Sequence, residues 1–223
     1  NPEVPAPVNF DFNNPINRKV LILIDYYLPG YKYGGPTISI NNIVDRLGDE
    51  IDFLIVTRDR DFGVEDRYAD VLIDTWNIVG KSKVFYASPR VFSFFGLRRL
   101  LINTPHDVLY LNSFFSYKTT IFLMLMRRLS LYRNKSIILA PRGEFSPGAL
   151  QLKAYKKNLY ITVIKLFPLY RDLIWQASSC REKDDILRIL SMTAQKIMVA
   201  PDLVRVPSVT KGLLKKLLIL NLQ

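Results

Sequence analysis

Lys19 to Asp25, KVLILID, and Ile51 to Thr57, IDFLIVT, are short runs rich in leucine and β-branched residues, with no polar–apolar alternation. A strand that is apolar on both sides must be covered on both, which is the condition of a central strand in a parallel sheet. Between the two runs, Pro36 followed by Ile38, Ile40, Ile43, Val44 and Leu47 has helical spacing, and Gly48 supplies a stop. Two parallel strands joined through a helix need a crossover, and crossovers are almost always right-handed. The pattern therefore predicts a doubly wound, mostly parallel α/β sheet of Rossmann-like form.

The alternation continues down the chain. Further strands are expected at Lys83–Ala87, Asp107–Asn112, Ser136–Ala140, Leu173–Ala177 and Lys196–Ala200, the last ended by Pro201. Helices are expected at Val91–Ile102, with Phe92, Phe95 and Leu101 facing inward, and at Phe115–Leu131. The second carries Arg127 and Arg128 near its end, where cations suit the helix dipole. Two more are expected at Leu150–Leu166 and at Arg181–Leu190, with Ile186, Leu187 and Leu190 on one face. Arg58 to Asp74 is too charged for core and long enough to be a functional loop. The 223 residues allow one or two domains, and the alternating order predicts one, over residues 19–207. Before it, residues 1–18, with Pro2, Pro5, Pro7 and Pro15, read as an extended leader; after it, residues 208–223 form a linker, a packed terminal helix or a disrupted strand.

Hydrophobic residues at 49% and charged residues at 23% describe an ordinary soluble globule. Cys180 is the only cysteine, so no disulfide forms within the chain and a reducing, cytoplasmic setting is the simplest expectation, although a cysteine-poor secreted protein has the same signature. The apolar run Ile121–Met126 is far shorter than the ~20 residues of a spanning helix. Charge is divided unequally: residues 1–111 hold 12 Lys and Arg against 14 Asp and Glu, whereas residues 112–223 hold 19 against 6. From Lys118 to Arg171 eleven cations face the single acid Glu144. Arg127, Arg128, Lys153, Lys156 and Lys157 are accordingly candidates for an anionic surface, with peripheral attachment at the inner face of a membrane as the expected use. The alternative is a solvated basic face that serves solubility. No nucleic-acid motif accompanies the charge, so no nucleic-acid partner is expected.

The stretch Ala140 to Lys157, APRGEFSPGALQLKAYKK, reads as strand, irregular loop and helix. Ligands of open parallel sheets collect where strands end and helices begin, because free backbone N–H groups there favour anions. Arg142 stands at this strand end; a guanidinium binds phosphate or carboxylate but is no general base near neutral pH. It either binds a ligand in this way or pairs with Glu144 to pin its own loop. Asn112 and Tyr110 close the preceding strand. Asn112 suits acceptor hydroxyls, and Tyr110 reads equally as core. Gly34 and Gly35 lie between the first strand and helix, where they are either a flexible turn or a close approach for a ligand to backbone amides. Asp25 ends the first strand and either faces the cleft or caps its own loop. Asp184 and Asp185 belong on a solvated helix face. The lone His106 precedes a strand, at the end opposite the expected cleft, and reads as a surface or turn histidine. No Cys/His cluster, Ser-His-Asp order or P-loop is present, so neither metal nor cofactor is expected.

The same Pro141-Arg142-Gly143 and Ser146-Pro147-Gly148-Ala149-Leu150 segments occur with Tyr33-Gly34-Gly35-Pro36, Leu111-Asn112-Ser113-Phe114-Phe115, Trp175-Gln176-Ala177-Ser178-Ser179 and Ala200-Pro201-Asp202-Leu203. In this order they resemble one branch of glycosyltransferase family 4. The resemblance implies the N-terminal, acceptor-side half of a retaining GT-B enzyme that moves a sugar from a nucleotide-sugar to a glycan or glycolipid. It further implies that Gly34 and Gly35 touch the donor diphosphate. Arg142, Asn112, Glu144 and Ser146 are then candidates for acceptor or phosphate binding. Family members commonly have histidines where Arg142, Asn112 and Tyr110 stand, so no catalytic residue is assigned. The family's donor pocket belongs to a C-terminal domain that these residues do not include, and the chain alone is expected to transfer no sugar at a useful rate. The alternatives are a noncatalytic module of the same fold that binds a glycan, membrane or partner, and an unrelated nucleotide-binding enzyme with a doubly wound sheet.

Overall fold

The computed structural model describes residues 18–132, 135–152, 154–166, 169–170, 173–190 and 197–203. Lys153, Arg133, Arg171, most of the expected leader and the tail beyond Pro207 lie outside the described residues. In chain order the elements are β1 (Arg18–Leu23), α1 (Gly35–Leu47), β2 (Ile51–Arg58), β3 (Trp76–Val79), β4 (Ser82–Ala87), α2 (Phe94–Asn103) and β5 (Val108–Asn112). A π-helical turn, Tyr117–Ile121, then leads into α3 (Phe122–Arg128). They are followed by β6 (Ser136–Ala140), α4 (Pro147–Gln151), α5 (Ala154–Leu166), β7 (Ile174–Ala177), α6 (Cys180–Leu190) and β8 (Ile197–Val199).

The eight strands form one sheet in the order β3-β4-β2-β1-β5-β6-β7-β8, parallel throughout except for the β3–β4 pair. The winding reverses at β1, so the crevice between the C-terminal ends of β1 and β5 is the topological switch point. Successive side chains of the central strands point to opposite sides. Leu21, Leu23, Leu54, Val56, Leu109, Leu111, Ile137, Leu139 and Trp175 join one core with Leu97, Leu101, Leu123, Met124, Met126, Ile161, Ile164 and Ile186 from the helices. Ile22, Ile24, Phe53, Ile55, Val84, Tyr86 and Tyr110 join the other, with Ile40 and Val44 of α1. Burial on both faces is why these strands carry continuous apolar runs.

Four expectations need correction. A short strand, β3, stands where no strand was expected; it forms a hairpin with β4 through Gly80, whose φ of 57° suits glycine. The second helix starts at Phe94 because the Ser93 hydroxyl accepts from the Gly96 N–H as its cap, and this phase leaves Phe95 76% exposed while Phe92 is buried ahead of the helix. The expected Phe115–Leu131 helix is a π-helical turn followed by a shorter α-helix, and the change of phase buries Thr119 and Thr120. Leu150–Leu166 is broken into α4 and α5 at Leu152, whose ψ of 116° is extended.

Candidate functional site

The loops after β1, β5, β6, β7 and β8 all leave the sheet at one rim, because those strands are parallel. The double glycine and the Pro-Arg-Gly triplet therefore share that rim. Gly34 is the N-cap of α1, with φ 78° and ψ −129°, and no side chain caps the helix. A Cβ at Gly34 or Gly35 would meet no atom within 4 Å. The loop is anchored beside them by Thr37, whose hydroxyl donates to the Tyr26 carbonyl at 3.0 Å.

At the β1–β5 switch point Asp25 is buried. Its carboxylate accepts from Arg58 at 2.9 Å and from the Ser116 hydroxyl at 2.5 Å, so it joins the ends of β1, β2 and β5. The Arg58 guanidinium also lies over the rings of Tyr26 and Phe92, 5.2 and 5.1 Å from their centroids.

The neighbouring cluster centres on Arg142. Arg142 and Ser113 follow adjacent strands and both adopt positive φ, 55° and 98°, a strained conformation for side-chain-bearing residues. The Arg142 side chain is only 8% exposed. It donates to the Tyr110 hydroxyl at 2.7 Å and to Asn112 Oδ1 at 3.3 Å, and it forms an ion pair with Asp202, beyond β8. Its acidic partner is thus Asp202 and not Glu144. Tyr110 serves as core and as site residue together: its ring belongs to the core and its hydroxyl donates to Gln176 Oε1 at 2.6 Å. Burial raises its pKa, while Arg142 opposes the rise. The Asn112 amide nitrogen is buried without a hydrogen-bond partner among the described residues.

Glu144 faces the other way. Its carboxylate accepts from the Ser113 hydroxyl at 2.6 Å and from the backbone N–H groups of Phe114 and Phe115 at 2.5 and 3.3 Å, fixing the loop after β5 to the loop after β6. Burial pushes its pKa up against those hydrogen bonds. Ser146 is the N-cap of α4, accepting from the Ala149 N–H. Lys157 is half-buried, donates to the Ala149 carbonyl at 2.7 Å and sits 4.9 Å from the Phe115 ring centroid. Lys156 and Arg128 are exposed, and Arg127 is half-buried at the end of α3.

His106 lies in a turn away from this rim and is buried, not on the surface. Its Nδ1 lies 2.7 Å from the Thr104 carbonyl, which can only accept, so Nδ1 carries the proton and Nε2 accepts from the Tyr132 hydroxyl at 2.5 Å. Asp184 is exposed, and Asp185 pairs with Arg188 one turn on. Among the described residues no group of three or more His, Cys, Asp and Glu side chains is placed to hold a metal, and no helix is long and apolar enough to cross a membrane.

Sequence reasoning missed Gln176, Glu182 and Asp202 as members of the rim. Gln176 links the Tyr110 hydroxyl to the Ala200 carbonyl, and Glu182 accepts from Gly143, so both act through strand ends that composition does not single out. Two of the three, Gln176 and Asp202, lie inside segments already noted for their resemblance.

Neither a family model nor a curated protein sequence matches the chain. Among solved structures it is similar to sucrose-phosphate synthase from Thermosynechococcus elongatus, at 11% identity and a TM-score of 0.51, over 83% of this chain and 48% of that one. A trehalose-6-phosphate synthase, OtsA, aligns at 10% identity and a TM-score of 0.49, over 89% of this chain and 55% of that one. The chain thus spans about half the length of these enzymes. The sheet order and the first of these likenesses give the fold as a mostly parallel, Rossmann-like α/β sheet of the kind found in GT-B N-terminal domains.

Proposed function

We propose that the chain is the acceptor-side half of a retaining glycosyltransferase, in which a sugar passes from a nucleotide-sugar to a glycan or glycolipid acceptor. The observation that carries this reading is the link across one rim between α1, which the double glycine opens, and Arg142: Asp202 pairs with Arg142 and also accepts from Ser39 of α1 at 3.1 Å. Gly34 and Gly35 present bare backbone to the donor diphosphate. Arg142 and Asn112 receive anionic or hydroxyl groups of the acceptor, while Glu144 and Ser146 hold the loop that carries Arg142. Residues 19–207 form the N-terminal domain, and the donor pocket is supplied by a C-terminal domain. No metal takes part. The purified chain should bind acceptor glycans weakly, lose that binding on Arg142→Met, and transfer sugar only when a C-terminal domain is added. Turnover by the chain alone would overturn this division of labour.

A second reading, a noncatalytic module that docks on anionic lipid at a cytoplasmic membrane face, is favoured by α5. Tyr155, Leu159 and Val163 recur every fourth residue and are 82%, 56% and 40% exposed, with Lys156 exposed beside them. Flotation of the chain with anionic but not with neutral vesicles supports it, and equal flotation with both contradicts it.

A further inference from the structure

The segment after β8 folds back over the rim. Ala200 continues the strand pairing through its N–H to the Ala177 carbonyl, and its own carbonyl is held by Gln176. Two residues on, the Asp202 carboxylate meets both Arg142 and the Ser39 hydroxyl, and the Leu203 carbonyl accepts from the Asn42 amide of α1 at 2.7 Å. A four-residue strap from the edge of the sheet thus reaches the helix beside its centre, and its one charge rests on the guanidinium of the candidate site.

We infer that Arg142, Tyr110 and Asn112 form an anion-binding site that Asp202, held by Ser39, fills from within the same chain, and that its ligand is a phosphate monoester which displaces the strap. The inference rests on the reading of Arg142 as a ligand-binding residue. Two observations point to a ligand. The guanidinium is almost wholly buried, yet the one carboxylate partner it has among the described residues is 38% exposed at the side chain, so that partner can leave into solvent. The Asn112 amide nitrogen beside it is a buried donor with no partner among the described residues. The chemistry selects the charge of the ligand. A tethered carboxylate acts at a high effective concentration, so a free monocarboxylate exchanges like for like and loses. A dianion with three acceptor oxygens makes stronger charge-assisted hydrogen bonds with a planar guanidinium and prevails. Departure of Asp202 also unties Ser39, so occupation of the site loosens α1, the helix that begins at the double glycine.

The test titrates the full 223-residue chain with inorganic phosphate and, separately, with acetate, by calorimetry at a pH where phosphate is mostly dianionic. The proteins compared are the wild type, Asp202→Asn, Ser39→Ala, and Arg142→Met, with circular dichroism as the fold control. Removing the competitor should tighten phosphate binding about tenfold in Asp202→Asn, with a smaller gain in Ser39→Ala. Acetate should bind Asp202→Asn but not the wild type. Arg142→Met should bind neither anion. Equal phosphate affinity in the wild type, Asp202→Asn and Ser39→Ala, all dependent on Arg142, overturns the strap while leaving the site. Phosphate binding that survives Arg142→Met, or is absent from every protein, overturns the reading of Arg142 itself. Should Asp202→Asn fail to fold, an unchanged affinity in Ser39→Ala overturns the strap on its own.

Discussion

Glu182 of α6 accepts a hydrogen bond from the backbone N–H of Gly143 at 2.6 Å, so the helix after β7 holds the loop after β6 that carries Arg142. Its second oxygen accepts from the Ser178 N–H and hydroxyl at 2.7 and 2.6 Å, and its own N–H is capped by Ser179. The Ser-x-x-Glu spacing is that of a capping box, with the carboxylate reaching one residue further and across to the neighbouring loop. A buried carboxylate with three donors leaves three orphans when removed. Glu182→Ala should destabilise the fold by about 2–4 kcal/mol, read as a lower urea midpoint, with Glu182→Gln intermediate. An unchanged midpoint in Glu182→Ala would show that the loop is held by other means.

Glu144 should give stability an acid-favouring slope. Burial raises its carboxyl above the ordinary value of 4.5, against the donors from Ser113, Phe114 and Phe115. A raised folded-state pKa means that the fold holds the proton more tightly than the unfolded chain does. Its contribution is therefore greatest below the ordinary value and declines as pH climbs through the raised one. The gap in unfolding free energy between wild type and Glu144→Gln should narrow as pH rises from the acid side. Urea melts at a series of pH values check the sign, and a widening gap would contradict it.

Strands buried on both faces were legible because the apolar run is itself the signature of that burial: Ile51–Arg58 and Ser136–Ala140 fall within a residue of their expected limits. The β3 edge strand escaped notice because four residues beside a glycine turn, none of them buried, carry little periodicity. Phe95 was misplaced because helix phase depends on where the cap sits, and Ser93 moved it. Arg142 and Asn112 could be placed side by side at the rim because both stand at the C-terminal ends of strands in a wound sheet. Asp202 could not, since its pairing with Arg142 spans 60 residues of sequence and no local pattern records a chain that doubles back across the rim.

His106 predicts a loss of stability on the acid side of neutrality. Burial lowers its pKa below the ordinary 6.5, against the hydrogen bond to Thr104. The neutral ring is the form the fold accepts, because a proton on Nε2 would remove the lone pair that Tyr132 uses. Its stabilisation is fully present above the ordinary value and is lost as pH falls through the lowered one. His106→Gln should flatten that limb. Thermal melts of the two proteins, compared from neutral pH downward, should converge; parallel curves would assign the acid sensitivity to other groups.

The two glycines of the β1–α1 loop should respond differently to the same substitution. Gly34 has φ 78° and ψ −129°, which side-chain-bearing residues rarely adopt, so Gly34→Ala should cost about 1–3 kcal/mol of stability even though its new methyl meets open space. Gly35 is the first residue of α1, with no positive φ and equal open space, so Gly35→Ala should leave the urea midpoint within about 0.5 kcal/mol of wild type. The space that makes Gly35→Ala harmless to the fold is the space a diphosphate needs in order to reach the N–H groups of the helix start. With a C-terminal domain supplied, Gly35→Ala should therefore weaken nucleotide-sugar binding while stability holds. A fall in both together would make the double glycine a folding element, and no change in either would place the donor elsewhere on the rim.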